Sequence, residues 1–290
     1  MTTRRFLPIS VLVHTALLLT IAASPTSASE VYAGIGFEPT DHPMHAEVGL
    51  GIGVTPTYEG SDEFAAVAAP LVNVNKPGAY FLNGISLNPN DGLLSGGISL
   101  LHAGYKNEND KGIRFTFGPY FRAHPGREQD ADDKLLGLGD IDSSAGVGLF
   151  LNIQNARWAM QLAAAPLEVN ESTDDGMLAT LDLHFSVVQN SSWTLDTGIT
   201  GSWANDEYMQ AYYGINASQS AASGYSVYNA EAGMKDLGIY LKGDVQFTDN
   251  WNLHSQIGYW QLQGDAKNSP IVEAGSNNQV RLLIGASYRF

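Results

Sequence analysis

The C-terminal stretch VRLLIGASYRF, residues 280–290, decides the fold class of this chain. Apolar residues fill its even-numbered positions, whereas arginine and serine stand only at odd-numbered ones. Alternation with a period of two is typical of a β-strand that has one apolar and one polar face. The apolar row comprises Val280, Leu282, Ile284, Ala286, Tyr288 and Phe290, with Arg281, Ser287 and Arg289 on the other face.

Four more runs in the second half of the chain alternate in the same way. The dipeptides Asn190-Ser191 and Asp249-Asn250 divide these runs into two pairs, and their composition favours β-hairpin turns. The sequence therefore predicts two hairpins. Their apolar faces comprise Leu181, Leu183, Phe185, Val187, Trp193, Leu195, Ile199, Trp203, Ile239, Leu241, Val245, Phe247, Trp251, Leu253, Ile257 and Tyr259.

A membrane barrel explains this pattern better than a soluble one. No run of 18 apolar residues follows residue 28, so only a closed sheet could cross a membrane. Trp193 and Trp203 lie on one face, and at a tilt of about 45° their heights differ by roughly 23 Å. Membrane barrels have an apolar band about 25 Å tall between aromatic girdles. A soluble barrel or sandwich, with both tryptophans in a closed core, is the alternative.

We predict an all-β fold, a transmembrane antiparallel up-and-down β-barrel of about twelve strands that the C-terminal strand closes. Bacterial single-chain barrels have even strand numbers. The segmentation gives an odd number of candidates, of which 79–88 and 208–216 are the weakest. The candidates are 47–57, 64–75, 79–88, 93–105, 112–123, 143–154, 156–168, 178–189, 192–203, 208–216, 235–248, 251–263 and 279–290. The longest connections, expected to face outward, are near 124–142, 168–177, 217–233 and 264–278.

The N-terminal region predicts export. Arg4 and Arg5 precede an apolar run and small residues follow it, so residues 1–28 are expected to be a signal peptide cleaved after Ala28. Segment 29–46 is then predicted to be periplasmic, and 47–290 to be the barrel in the outer membrane of a Gram-negative bacterium. The terminal aromatic Phe290 resembles the assembly signal of such barrels. The chain has no cysteine, which excludes disulfides and an acylated cysteine.

Charge limits the partners of the protein. The net charge of −15 becomes −17 when Arg4 and Arg5 leave with the signal peptide. Such a field repels phosphate backbones, so we expect outer-membrane lipid and no nucleic acid as partners. Inward-facing charges of both signs predict structural packing by mutual pairing, with a selective pore as the alternative. These charges are Arg114, Arg122, Asp182, His184, Asp196, Lys242, Asp244, Arg281 and Arg289.

No catalytic residue is predicted. Serine is abundant, but no spacing marks one serine and one histidine as hydrogen-bonded neighbours. Asp182 and His184 stand two apart on one strand face, which predicts an ion pair inside the barrel. The histidines that survive processing are His42, His45, His102, His124, His184 and His254.

No metal or cofactor is predicted either. Asp41, His42 and His45 could clasp a transition ion, but a metal-free segment is the favoured interpretation. The acidic positions of one long connection could bind Ca²⁺ or Mg²⁺, yet they lack the twelve-residue calcium-loop pattern. Solvated acidic loops are therefore expected. The acidic positions are Glu128, Asp130, Asp132 and Asp133, and a second acidic pair is Asp174-Asp175.

Several short motifs punctuate the chain. They are YEGSD at 58–62, LGLGDID at 136–142, YGI at 213–215, QSAASG at 219–224, AGMKDLG at 232–238, GDA at 264–266, SPIV at 269–272 and SYRF at 287–290. Together they resemble the motifs of the MltA-interacting protein family, also called the MipA/OmpV family, across most of the mature chain. Residues 78–127 fit the family pattern less well.

This resemblance implies a non-enzymatic envelope protein that scaffolds peptidoglycan remodelling. Its partners would be a lytic transglycosylase and a bifunctional penicillin-binding protein, which is a murein synthase. A small-solute pore and a surface adhesin are the alternatives. Because tight barrel turns require Gly, Ser and Asp, the motif positions are expected to be structural. They are Tyr58, Gly60, Ser61, Asp62, Gly137, Gly139, Asp140, Asp142, Gln219, Ser220, Asp236 and Phe290.

Overall fold

A computed structural model describes residues 30–38, 43–84, 92–106, 112–169 and 176–290. Across these residues the chain forms one antiparallel sheet. Its strands are β1 (Glu30–Ile35), β2 (His45–Pro56), β3 (Phe64–Lys76), β4 (Tyr80–Asn83), β5 (Leu94–Ile98), β6 (Leu101–Lys106), β7 (Ile113–His124), β8 (Ser144–Gln154), β9 (Trp158–Leu167), β10 (Gly176–Gln189), β11 (Trp193–Ala204), β12 (Gly233–Gln246), β13 (Trp251–Leu262) and β14 (Asn278–Arg289).

The sheet closes into a barrel through two junctions. β14 pairs with β2, in a register that runs from Leu282 opposite Val54 to Arg289 opposite Glu47. β7 pairs with β8 on one edge and with β5 and β6 on the other. The wall therefore has twelve strand positions, with β1 and β6 as additional strands, and the predicted barrel of about twelve strands is confirmed.

The first strand extends the wall beyond the short strand β4. β1 pairs with the free edge of β6, and the Glu38 amide then donates to the Gly78 carbonyl in the turn after β3 at 3.0 Å. Val31 and Ile35 point away from the interior and are exposed. Segment 29–46, expected to be a periplasmic extension, thus contributes a strand to the sheet.

The outer surface of the barrel is apolar, as the alternation predicted. The predicted row from Val280 to Phe290 faces outward, and Trp193 and Trp203 are each 43% exposed on the outside. In the soluble alternative both tryptophans would lie in a closed core. Their exposure, together with a continuous apolar outer face, excludes that alternative and places the strands in lipid.

One predicted strand is wrong, because residues 208–216 begin in a helix. The helix α1 (Asp206–Tyr213) starts at Asn205, whose side chain accepts a hydrogen bond from the Tyr208 amide at 3.2 Å. Its buried aromatic residues recur four apart, which is the period of a helix and not of a strand. Further short helices lie in the long connections: α2 (Ala217–Ser223), α3 (Gly264–Lys267) and α4 (Pro270–Glu273), with 3₁₀ turns at Gln129–Ala131 and Asp133–Leu135.

A second difference concerns the predicted strand 93–105, which is divided into β5 and β6. The break falls between the pair of Gly97 with Tyr120 and the pair of Leu101 with Phe117. Pro119 of β7 lies in this interval, and proline has no N–H to donate to the ladder. Of the predicted strand 79–88, Tyr80–Asn83 forms β4, and residues 85–88 lie outside the described residues. The remaining predicted strands match observed ones within a few residues. Within the ranges given above, no helix is long and apolar enough to cross a membrane.

The connections differ at the two ends of the barrel. Residues 155–157, 190–192 and 247–250 form short turns at one end, which we call the short-turn end. The long connections, including 125–143, 205–232 and 263–277, meet at the opposite end, which we call the loop end.

Candidate functional site: the barrel interior and its cap

The long connections pack together as a cap over the loop end. Tyr58 lies in the β2–β3 connection, and its hydroxyl donates to the Ile271 carbonyl in α4 at 3.1 Å. Around this contact, three other connections contribute to one buried cluster. The cap therefore has a hydrophobic core of its own, formed by Tyr58, Leu135, Leu138, Ile215 and Ile271.

Hydrogen bonds to Asp132 join two of these connections. The hydroxyls of Thr57 and Ser61 donate to its carboxylate at 2.6 and 2.9 Å. Burial raises the pKa of Asp132, but these hydrogen bonds and nearby Lys134 outweigh burial, so that its pKa is lowered. Lys134 also lies 3.0 Å from Asp62. This acidic stretch is thus engaged in contacts within the cap.

At two motif positions in the cap, a neighbouring connection lies so close that only glycine fits. Gly60 has a φ of +117°, and a Cβ there would lie 2.7 Å from Val272. Gly137 has a φ of +84°, and a Cβ there would lie 2.8 Å from the backbone of Ala222. Any other residue at these positions would be strained and would push two connections apart.

The helix α1 seats in the mouth of the barrel. Tyr208 and Met209 are completely buried, and they pack with Leu178 of β10 in the largest hydrophobic cluster. The Tyr208 and Tyr212 rings stack with centroids 4.5 Å apart, and the Tyr212 hydroxyl lies 3.0 Å from His124 Nδ1. The helix thus closes the interior from the loop end.

Beneath α1 lies a buried network of charges. Lys235 Nζ is 2.8 Å from the carboxylates of both Glu59 and Asp236. The Tyr213 hydroxyl donates to Glu59 at 2.7 Å, and the Ser202 hydroxyl donates to Asp236 at 2.8 Å. Burial raises the pKa of Glu59, but the neighbouring cations outweigh it and lower that pKa to about 2.

Three arginines surround this network. Arg122 donates to the Leu178 carbonyl at 3.2 Å and to the Thr180 hydroxyl at 3.0 Å. Arg127 donates to the Tyr212 carbonyl at 2.6 Å. The Arg281 guanidinium lies 6.0 Å from the centre of the Trp260 ring, within reach of a cation–π interaction.

Aromatic side chains fill the interior at mid-height. The buried Trp260 ring lies across Gly238 and Gly258, where a Cβ would come within 2.3 and 2.2 Å of it. On the other side of the barrel, Tyr120 and Phe150 form a second buried cluster. These rings separate the charge network from the short-turn end.

A cavity of about 630 Å³, here called the short-turn cavity, occupies the remaining interior. It is bordered by the 190–192 turn and by Arg289 at the short-turn end, and Leu71 and Leu283 lie at its floor. Most of its other lining groups are polar. They include Asn73, Asn83, Gln161, Tyr240, Lys242, Gln246, Asn252, His254, Ser255, Gln256 and Ser287.

A chain of hydrogen bonds runs through His254 at the cavity wall. Its Nδ1 lies 2.5 Å from Asp244 and its Nε2 lies 2.7 Å from the Ser287 hydroxyl, which donates to Glu47 at 2.9 Å. These distances resemble a nucleophile, base and acid set, which the sequence analysis missed. Asp244 and His254 stand opposite each other around the turn at 249, so the predicted hairpin could have paired them.

This series of hydrogen bonds joins strands of the barrel wall. The Ser287 hydroxyl donates its proton to Glu47 and not to His254, so His254 is not placed to activate it as a nucleophile. The four residues belong instead to β2, β12, β13 and β14. They connect the first full strand to the closing one.

The predicted contact between Asp182 and His184 is mediated by a third residue. The Tyr240 hydroxyl donates to Asp182 at 3.0 Å and lies 3.4 Å from His184 Nδ1. His184 Nε2 is 3.7 Å from Asp196 on the neighbouring strand. His184 thus lies near a carboxylate across the strands and not near the one two residues away, because facing residues of neighbouring strands come closer than alternate residues of one strand.

Most of the remaining motif positions also make contacts in the cap. The side-chain amide of Gln219 donates to the Leu138 carbonyl at 2.6 Å, and the Ser220 hydroxyl donates to the Tyr225 carbonyl at 2.6 Å. The Asp140 carboxylate accepts a hydrogen bond from the backbone amide of Gln129 at 2.8 Å. Gly139 has a φ of +78°, and Asp142 is exposed.

Phe290 lies apart from the cap, on the outer surface, where it is 78% exposed. Its backbone amide donates to the Ala46 carbonyl at 3.1 Å, and its ring packs edge-on against Tyr288 with centroids 5.2 Å apart.

The weighed metal positions receive no support. Asp41, His42 and the pair Asp174-Asp175 lie outside the described residues. In the part of the chain that the structure describes, no three His, Asp or Glu side chains are placed to hold a metal ion.

The sequence model of a known family, MltA-interacting protein MipA, matches residues 48–290. The chain belongs to this family. Among its MipA-family relatives, the MltA-interacting protein of Escherichia coli K12 is 24% identical over 120 residues, which are 38% of this chain and 47% of the relative. The outer membrane protein YiaT of Escherichia coli O157:H7 is 24% identical over 166 residues, 57% of this chain and 64% of the relative. The matches thus span about half to two thirds of these relatives.

Solved structures similar to this MipA-family barrel are outer-membrane barrels. An outer membrane channel from Pseudomonas putida F1 is 13% identical, covers 87% of this chain and 99% of its own, and has a TM-score of 0.42. OmpT of Vibrio cholerae is 7% identical, with coverages of 92% and 99% and a TM-score of 0.38. The family, the lipid-facing surface and the named relatives place the protein in the outer membrane.

Proposed function

We propose that this MipA-family protein is a non-enzymatic scaffold, which holds a lytic transglycosylase and a bifunctional penicillin-binding protein at the outer membrane. Membership of the MipA family over residues 48–290 carries this proposal. A relative in Escherichia coli is named for its interaction with MltA. The short-turn end would face the periplasm and the partners, because short turns of bacterial barrels lie on that side.

The barrel interior supports a structural role. The charge network around Lys235 and the ring of Trp260 occupy the interior, and α1 covers them. A buried ion pair that is also hydrogen-bonded, as Lys235 is with Glu59 and Asp236, holds its elements in one arrangement. Such a wall suits a docking platform better than an open passage.

A pull-down from solubilised envelopes tests the scaffold. The tagged wild-type chain should recover a lytic transglycosylase or a murein synthase. Reversing an exposed charge of the short-turn end, in Arg157→Glu, should lower recovery, whereas Lys267→Glu in the exposed part of the cap should not. If neither enzyme is recovered and a deletion strain has wild-type murein, the proposal is wrong.

A solute pore is the second candidate, and the short-turn cavity with its charges of both signs favours it. Planar-bilayer recording separates the two. As a scaffold with a closed interior, the intact chain should show no unitary conductance. Unitary currents from the intact chain would favour the pore.

A further inference from the structure

We infer that the short-turn cavity binds a neutral saccharide. Thirteen of its lining side chains are amides or hydroxyls, against seven that can ionise. Amides and hydroxyls offer both donors and acceptors, which is the pattern that sugar hydroxyls require. The volume of about 630 Å³ lies within the range of roughly 300–1,000 Å³ of ligand pockets.

The ionisable groups of the cavity are engaged by their neighbours. His254 bonds to Asp244, and Arg289 donates to the Asp249 carbonyl at 2.9 Å. Asp182 accepts from Tyr240 and Lys242 lies 3.8 Å from Asp244. A charged ligand would have to break these contacts, whereas a neutral one would leave them in place.

Two amides remain for a ligand. Gln161 of β9 and Gln256 of β13 line the cavity, and neither side chain has a hydrogen-bond partner in the described part of the chain. Both point inward, from strands that are separated by three others in the wall. A polar ligand between them would gain hydrogen bonds without displacing existing ones.

An aromatic ring supplies the apolar surface that the C–H face of a sugar needs. The Tyr240 ring lies across Gly198, where a Cβ would come within 2.2 Å of it. Leu71 and Leu283 continue this surface at the cavity floor. Because Gly198 has no side chain, the ring lies close to the wall and leaves the cavity open.

Isothermal titration calorimetry on the mature chain, in a detergent without a sugar headgroup, tests this inference. Tetraacetylchitotetraose and maltotetraose are the probes, and the stronger heat distinguishes an N-acetylated glycan from a glucan. Gln256→Ala and Gln161→Ala should each weaken binding roughly three- to tenfold. Gly198→Ala should weaken it further, because the new Cβ pushes Tyr240 into the cavity. The matched control Gln261→Ala, on the outer face of β13, should bind as the wild type does.

Absence of heat with both sugars would overturn the inference. Wild-type affinity in both Gln256→Ala and Gln161→Ala, with the barrel folded, would overturn it as well. A third arm titrates lysine and glutamate, and binding of either without binding of a sugar would show that the cavity selects charge. The assay contains no partner enzyme, so a negative result leaves the scaffold proposal standing.

Discussion

Lys235 is the residue on which the interior charge network depends. It stands between Glu59 and Asp236, is completely buried, and lies within 2.8 Å of both carboxylates. A buried ion pair gains little over apolar groups of the same shape, but removing one partner leaves the other as an uncompensated charge. Removal of Lys235 should therefore lower the free energy of unfolding by more than the ion pair contributes to it.

We expect Lys235→Met to lower the free energy of unfolding by about 3–5 kcal/mol, since two buried carboxylates lose their cation. Urea unfolding in lipid vesicles, followed by tryptophan fluorescence, measures this loss. Lys267→Met, at an exposed position of the cap, is the control and should change stability by less than about 0.5 kcal/mol. Equal effects of the two substitutions would show that the network contributes nothing.

The Glu59 carboxylate gives stability a specific pH dependence. Its pKa falls from 4.5 to about 2 in the folded protein, so ionised Glu59 stabilises the fold fully above pH 4.5. This stability is lost as the pH falls from 4.5 towards 2, and it amounts to about 2–4 kcal/mol. Glu59→Gln should remove this part of the pH dependence in unfolding measured between pH 7 and 2. Glu273→Gln, an exposed change in α4, should preserve it.

At the scale of elements, the strands were predictable and the helices of the cap were not. Alternation is local, so a run such as 181–187 shows its two faces without reference to the rest of the chain. The strand predicted at 208–216 is wrong because so short an apolar run is ambiguous between the two periods, although Tyr208 and Tyr212 recur four apart as in a helix.

The sequence does not predict the cap, because the contacts that form it join residues far apart along the chain. The motif residues were expected to be structural, but their partners lie far away in sequence, as when Ser61 donates to Asp132 and Tyr58 to Ile271. A single sequence shows which residues suit turns and not which turns meet. Only the Asp244 and His254 pair was within reach, through the register of a hairpin.

The Asn205 side chain fixes the start of α1, and this permits a test of the element. It accepts hydrogen bonds from the Tyr208 amide at 3.2 Å and from the Met177 amide of β10 at 2.6 Å. Loss of an N-cap costs about 1 kcal/mol, so Asn205→Ala should speed hydrogen exchange in residues 206–213 by roughly fivefold. In the same variant, hydrogen exchange in β12 should stay as in the wild type. In the control variant Asn268→Ala, hydrogen exchange in α1 should also stay as in the wild type. A uniform acceleration would mean that α1 and the barrel open together.

At the scale of the whole molecule, closure of the barrel depends on residues at opposite ends of the chain. The Ser287 hydroxyl donates to Glu47, and the pairing of β14 with β2 carries the register from Leu282 to Arg289. Bringing the two ends of so long a segment together lowers the entropy of the chain. The contacts of the seam offset this loss only when the whole seam forms. Closure should therefore complete folding, and a slip of the seam by one residue would turn every outward residue of β14 inward.

The absence of cysteine makes this register directly testable. Val48 and Tyr288 are opposite each other on the lipid-facing side of the seam, at a separation of about 4.5–5.5 Å between Cα atoms. That separation suits a disulfide, so Val48→Cys with Tyr288→Cys should cross-link on mild oxidation of the membrane fraction. Val48→Cys with Ile284→Cys is the control, because Ile284 pairs with Ile52 and lies roughly 13 Å further along the strand. Cross-linking of the control pair, with none in the first, would establish a seam slipped by four residues. Such an even slip leaves each side chain on its own face, but it would separate Ser287 from Glu47 and break their hydrogen bond.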